Sequence, residues 1–321
     1  MSPGQSSVTI DKERRIAAAL AVTMRIAGAK FGNSRYSYWH FDANAGCVWN
    51  EEVGVPGSPL VFWHNARKML NGMRPVPFFC DHNENSMAEL QTRLAGNDDS
   101  ARQSIIIHGD NEEGLEVFAE TIRHHENPQH AMGTVIVDQN GYWYRDKNGV
   151  GAPVNAVTKF AREFPKIDIV LNLNAGWYGR FKSSFPGLTP SGDVLDGLGK
   201  RHWLVSMTGG QSRFLLAVGR NLPTGDLKSL GMHDRNSPLG RSTIARESGE
   251  RTPEPSLPEL PGLFGAPRVQ SGSRNCNEAQ QLALRDVRSA CNGSASFQRI
   301  QAMGNVRRSI EPSPDMPCLP L

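Results

Sequence analysis

The chain has 321 residues, 38% of them hydrophobic, and a net charge of +3 at neutral pH. That length suits one large or two ordinary domains, and the near-balanced charge gives no overall electrostatic case for a polyanionic partner. The five cysteines (47, 80, 276, 291 and 318) include no CxxC pair. This argues against a disulfide framework or a zinc site and for free thiols in a reducing compartment, so the expected location is the cytoplasm. The opening MSPGQSSVTIDKERR lacks an apolar core of signal-peptide length, and no run approaches the ~18 apolar residues of a membrane span.

DKERRIAAALAVTMRIAGAK (11–30) predicts an Ala-rich helix, and SYWHFD (37–42) a strand. SPLVFWHNARKML (58–70) predicts a helix with Ser58 as N-cap and Pro59 at its first position. VPFFCD (76–81) predicts a strand, NSMAELQTRL (85–94) a helix, and SIIIHGD (104–110) a strand. NEEGLEVFAETIRHH (111–125) predicts a helix with acidic residues in its first turn, where the dipole favours them. GTVIVD (133–138) follows as a strand, NAVTKFAREF (155–164) as a helix and IDIVLNLNA (167–175) as a strand. HWLVSM (202–207) and RFLLAVGR (213–220) predict two strands joined by a tight TGGQS turn. Alternating strands and helices give right-handed βαβ units and a mostly parallel sheet, and the last two strands form an antiparallel hairpin at one edge.

The end of the chain differs in composition. All six tryptophans precede residue 225, whereas the last 97 residues hold 10 of the 21 prolines and only Phe264 and Phe297 as aromatics. A folded domain over 1–224 and a largely disordered Pro/Ser/Arg-rich tail over 225–321 are expected, with one short helix at 277–291.

In such a sheet, ligands bind beyond the carboxyl ends of the strands, near the switch point in strand order. The exits carry Asp42, Ala45 and Gly46 after the first strand and Asp81 after the second. Asp110 follows the third; Asp138, Asn140 and Tyr142 follow the fourth. A carboxylate at the second exit suits two ribose hydroxyls, and small residues let a backbone approach a ligand. Each acid also has a local alternative: a turn at Asp42, Asp81 or Asp138, and a helix cap at Asp110. There is no GxSxG elbow, GxxxxGK[ST] loop or HExxH pair, so a hydrolase triad, a nucleoside triphosphatase and a catalytic metal are not expected. Lys200, Arg201 and His202, with Arg180, Lys182 and Arg213, are candidates for a basic rim along a phosphate backbone. Trp177, Tyr178 and Trp143 are candidates for stacking a base.

Five βα units closed by a hairpin resemble the layout of S-adenosylmethionine-dependent methyltransferases. FDANAGCVWN…VPGSPL resembles the first motif of the three-Cys-motif partner protein family. FFCDHNEN, IIIHGDN and VIVDQNGYW stand where its later motifs would. The resemblance spans about residues 37–220 and implies a Rossmann-like methyltransferase fold with S-adenosylmethionine as cofactor. It places Asp42, Ala45 and Gly46 along the methionine part, Asp81 at the ribose and Asp110 near the adenine. It assigns the acceptor side to Asp138, Asn140 and Tyr142.

Two departures stand out: Val48 replaces a customary glycine, and Asp-Gln-Asn-Gly replaces the Asp/Asn-Pro-Pro-Tyr/Phe of amino-methylating enzymes. The expected function is methyl transfer to an amino group of a base in DNA or RNA. The alternative is a degenerate methyltransferase-fold binding module, of a mobile element for example.

Overall fold

A computed structural model of the chain describes residues 7–33, 36–46, 49–50, 55–96, 103–138, 154–181, 183–184, 190–207, 214–222 and 230–248. The helices are α1 (Ser7–Phe31), α2 (Ser58–Met69), α3 (Glu84–Gly96), α4 (Asn111–His125), α5 (Val154–Glu163), α6 (Ala175–Phe181), α7 (Ser191–Gly197) and α8 (Pro238–Ala245). The strands are β1 (Ser37–Asp42), β2 (Trp49–Asn50), β3 (Val55–Pro56), β4 (Arg74–Asp81), β5 (Ile105–His108), β6 (Met132–Asp138), β7 (Ile167–Leu173), β8 (His202–Met207), β9 (Leu215–Arg220) and β10 (His233–Asp234). All seven strands expected from the sequence are present. β2 and β3 form a separate two-stranded ribbon.

The main sheet runs β10-β8-β9-β7-β6-β1-β4-β5. β1 pairs in parallel with both β4 and β6, and β6 with β7. β9 is antiparallel to β7 and β8, so the final hairpin inserts its second strand next to the parallel set. Strand order therefore reverses between β1 and β6, which makes that crevice the switch point.

Successive strand residues face opposite sides, and the core follows this period. Trp39, Phe41, Phe78, Val135, Ile169 and Leu171 pack under α4 and α5. Tyr38, Phe79, Ile136 and Val170 pack under α1, α2 and α3. α1 buries Ile16, Leu20, Met24 and Ala27 along one stripe. It crosses α2 closely at Gly28, where a Cβ would sit 2.0 Å from the Met69 carbonyl oxygen.

Three expectations need correction. α2 takes Gly57 as N-cap, not Ser58, and no side chain caps it. The folded part does not stop at 224, because β10 pairs with β8 and α8 follows with Ser237 as N-cap. A 3-10 turn (Arg246–Ser248) then brings buried Glu247 to Ser191 at the start of α7, accepting from its backbone N–H at 3.1 Å and its hydroxyl at 2.5 Å. β10 makes the sheet eight-stranded. Finally, α6 and α7 lie in a stretch where no helix was expected. The expected helix at 277–291 lies outside the described residues.

Candidate functional site

The site follows from side-chain parity. Asp81, Asp138 and Asn172 lie two residues beyond Phe79, Ile136 and Val170, so they share the face covered by α1–α3. Asp42 is two beyond His40, which stacks on Phe62 of α2 with ring centroids 4.3 Å apart. The carboxyl ends of β1, β4, β6 and β7 thus present three carboxylates and an amide on one face. Asp42 and Asp138 flank the switch point.

On the β1–β4–β5 side, Asp42 is 1% exposed. Its Oδ1 accepts from the Asn44 backbone N–H at 3.2 Å, and its Oδ2 is buried without a hydrogen-bond partner among the described residues. Burial pushes its carboxyl up to about 7; the Ser58 hydroxyl and the Asn44 N–H oppose the rise, while Asp138 and Glu13 add to it. Asn44 Oδ1 is also buried and unpartnered. The loop folds back over β4. Ala45 donates its N–H to the Cys80 carbonyl at 3.0 Å, and Gly46 donates to Asp81 Oδ2 at 2.9 Å. Gly46 has φ +58, a left-handed conformation that glycine adopts freely. Asp81 Oδ1 accepts from the Asn83 N–H at 2.8 Å, so this carboxylate ties the loop to the tip of β4. Asp110 is exposed and caps α4, accepting from the Glu112 N–H at 2.7 Å.

On the β6–β7–β8 side, Asp138 accepts from Asn172 Nδ2 at 2.6 Å and from Lys12 Nζ of α1 at 2.7 Å. Asn172 Oδ1 is buried without a partner among the described residues. Glu13 lies 3.5 Å from the same ammonium, and the Phe214 ring centroid 5.8 Å from it. Burial alone would depress the Lys12 ammonium, but the charges of Asp138 and Glu13 outweigh it and hold the group above its ordinary range. Glu13 is raised, chiefly by burial, with Asp138 adding to the rise. One helical turn on, Arg15 Nη1 donates to the Ser206 hydroxyl at the end of β8. Asn140, Tyr142 and Trp143 lie outside the described residues, as do Val48 and the side chain of Trp177.

Of the expected basic rim, Lys200, Arg201 and His202 are not at this end. His202 pairs with Arg220, and Gly219 with Ile169, so residues 200–202 sit at the amino end of β7. There Lys200 donates to the carbonyls of Ile167, Phe164 and Pro165 at 2.8, 3.1 and 3.4 Å. The residues lead into β8, which runs in the same direction as β7 with β9 between the two, so they fall at the amino ends of the strands. Arg180, Lys182 and Arg213 have no described side chains.

Lys12, Glu13, Arg15 and Ser206 escaped the sequence reading. A signal existed: Lys12 lies on the same stripe as Ile16 and Leu20, four and eight residues on, so a cation interrupts an otherwise apolar face. Ser58 was taken as a cap, and its hydroxyl is instead a neighbour of Asp42. Among the described residues, no group of His, Cys, Asp or Glu converges to hold a metal ion, and no helix is long and apolar enough to cross a membrane.

No protein-family model and no curated protein matches the chain. Solved structures do. A Legionella pneumophila protein from a family of unknown function is 9% identical, with 67% of this chain and 88% of that one covered and a TM-score of 0.44. The methyltransferase domain of METTL16 is 9% identical (67% and 84% covered, TM-score 0.39). Fibrillarin from Aeropyrum pernix, with natively bound S-adenosyl-L-methionine, is 12% identical (64% and 74% covered, TM-score 0.34). Identity this low carries no function from one chain to another.

Proposed function

We propose that the protein is an S-adenosylmethionine-dependent methyltransferase acting on an amino group of a nucleic-acid base. The observation behind this reading is the set of buried acceptors at the switch point with no partner among the described residues: Asp42 Oδ2, Asn44 Oδ1 and Asn172 Oδ1. Each orphaned acceptor costs about 1–3 kcal/mol, and a ligand rich in donors removes that cost. S-adenosylmethionine presents an ammonium, two ribose hydroxyls and an adenine amine, so these residues fit it. Asp42 and Asn44 would take the ammonium, and Asp81 the ribose through lone pairs left free by Gly46 and Asn83. The exit at Asp110 would border the adenine. Ala45 and Gly46 would let the loop backbone close on the ligand.

When bound, the cofactor supplies a methyl group already activated on a sulfonium. The chain's task is then positioning. Asp138 and Asn140 would hold the acceptor nitrogen, and Tyr142 would stack the base taken out of its helix. A neutral amine needs no strong base, so amide and carboxylate acceptors suffice.

Titrating S-adenosylmethionine into the full chain by calorimetry tests the pocket. Binding with a Kd on the order of micromolar is expected, weakened at least tenfold by Asp81→Ala. A folded sample that binds nothing would sink the reading.

A second reading, a module that binds without turnover, is favoured by the engagement of both Asp138 oxygens. Asp138→Asn separates the two, because it abolishes methyl transfer to nucleic acid in the enzyme and leaves nucleic-acid binding intact in the module.

A further inference from the structure

Among the described residues two lysines are buried, and they are held differently. Lys200 donates to three backbone carbonyls, matching its three N–H bonds. Lys12 has a single short contact, to Asp138 at 2.7 Å, with Glu13 at 3.5 Å and a ring face at 5.8 Å. Asn172, which donates to the same Asp138, and Asp42, across the switch point, are each 1% exposed and have one oxygen (Asn172 Oδ1, Asp42 Oδ2) with no partner among the described residues. The subsite offers more acceptors than Lys12 satisfies.

Deepening the methyltransferase reading and resting on it, we propose that the first turns of α1 are an intramolecular occupant of the acceptor subsite. The Lys12 ammonium stands where an acceptor amine would be held. From Ile16 onward α1 is locked into the core. The turns before it reach the sheet through the side chains of Lys12 and Arg15, on Asp138 and Ser206. A helix start has four unpaired N–H groups, and none of the residues in this one's first turn is acidic. Withdrawal therefore needs the fraying of residues 7–15 and the release of the Asp138 and Ser206 contacts, with Ile16 as the pivot. The occupant is also a cation, so it repels both the ammonium and the sulfonium of the cofactor. Ligand affinity is reduced by the fraction of molecules in the closed state.

Amide hydrogen exchange over residues 7–15 of the full chain, followed by mass spectrometry, tests the occupant without knowing the substrate. n-Butylammonium chloride is the probe and sodium chloride of equal ionic strength the control. The probe should speed exchange of this segment at least threefold over the control, while Asp138→Asn should exchange fast with no response to it. Lys12→Met should exchange fast without the probe and bind S-adenosylmethionine three- to tenfold more tightly than the native chain. Equal exchange in n-butylammonium and sodium chloride overturns the occupant, even where Lys12→Met fails to fold. Fast exchange in Lys12→Met with no gain in affinity also overturns it, leaving a structural ion pair. A kept ammonium response with no cofactor binding by either protein supports an occupied amine subsite and sinks the cofactor reading instead.

Discussion

Charge is buried at both ends of the sheet, but the two ends differ in what is left open. At the amino ends, Lys200 meets three carbonyls, and Arg220 closes on Asp168 at 3.1 Å with both side chains under a tenth exposed. At the carboxyl ends, Asp42, Asn44 and Asn172 each keep an oxygen with no partner among the described residues. Fixed backbone and a dedicated counter-ion surround charges that serve architecture. On the reading proposed above, the open acceptors mark the end where the ligand arrives. Arg220 does leave Nε and Nη1 unpaired, but these belong to a cation that already has its carboxylate.

The largest effect should come from breaking the amino-end pair. Arg220→Met leaves Asp168 in the core without its ion-pair partner and should cost about 3–5 kcal/mol in urea unfolding. Cofactor affinity should not change, and a matching loss of affinity would erase the distinction between the two ends.

Asp42→Asn should do the opposite at the other end. Burial raises the folded carboxyl to about 7, above its ordinary value, so the folded state binds the extra proton and stability falls as pH rises from about 4 to 7. At about 1.4 kcal/mol per unit over about three units, the substitution should stabilise the fold by about 4 kcal/mol at pH 8 and weaken cofactor binding at least tenfold. The difference between variant and native curves is the readout, because His40, held neutral by burial down to about 3, tilts the native curve the other way over part of that range. A flat difference curve would show that Asp42 is charged throughout.

Lys200→Met should cost about 2 kcal/mol by orphaning backbone carbonyls. The ammonium is lowered to about 8 by burial, opposed by Asp168, so the unfolded chain binds the extra proton and native stability rises between pH 8 and about 10.4. That rise should vanish in the variant.

The smallest effect is expected at Glu247→Gln, which weakens the contact with Ser191 and should cost about 1 kcal/mol. It should raise exchange in α8 without touching the site.

The alternation of apolar strands and capped helices made the parallel sheet legible, and with it the exits at Asp42, Asp81 and Asp138. Parity within each strand also placed those acids on one side. What stayed hidden depends on contacts far apart in sequence. Asp138 and Lys12 are 126 residues apart, and nothing local to VIVDQN announces a lysine from the first helix. α6 and α7 have seven residues each and β10 two, too short for a period to show. Glu247 reads as one more polar residue in a proline-rich tail until Ser191 is beside it. Asp110 shows how one residue satisfies two patterns: an acid at a strand exit is also an acid before a helix, and here its carboxylate caps α4.

β10 has a consequence for handling the protein. His233 and Asp234 lie against Val205 and Leu204, and Arg235 donates its N–H to the Trp203 carbonyl at 2.9 Å. A chain cut at the composition break near 224 would leave β8, five of whose six residues are buried, as a bare edge with its backbone groups open. Such an edge is a template for another copy of itself, so a truncation there should aggregate on concentration, while one ending after residue 248 should remain monodisperse.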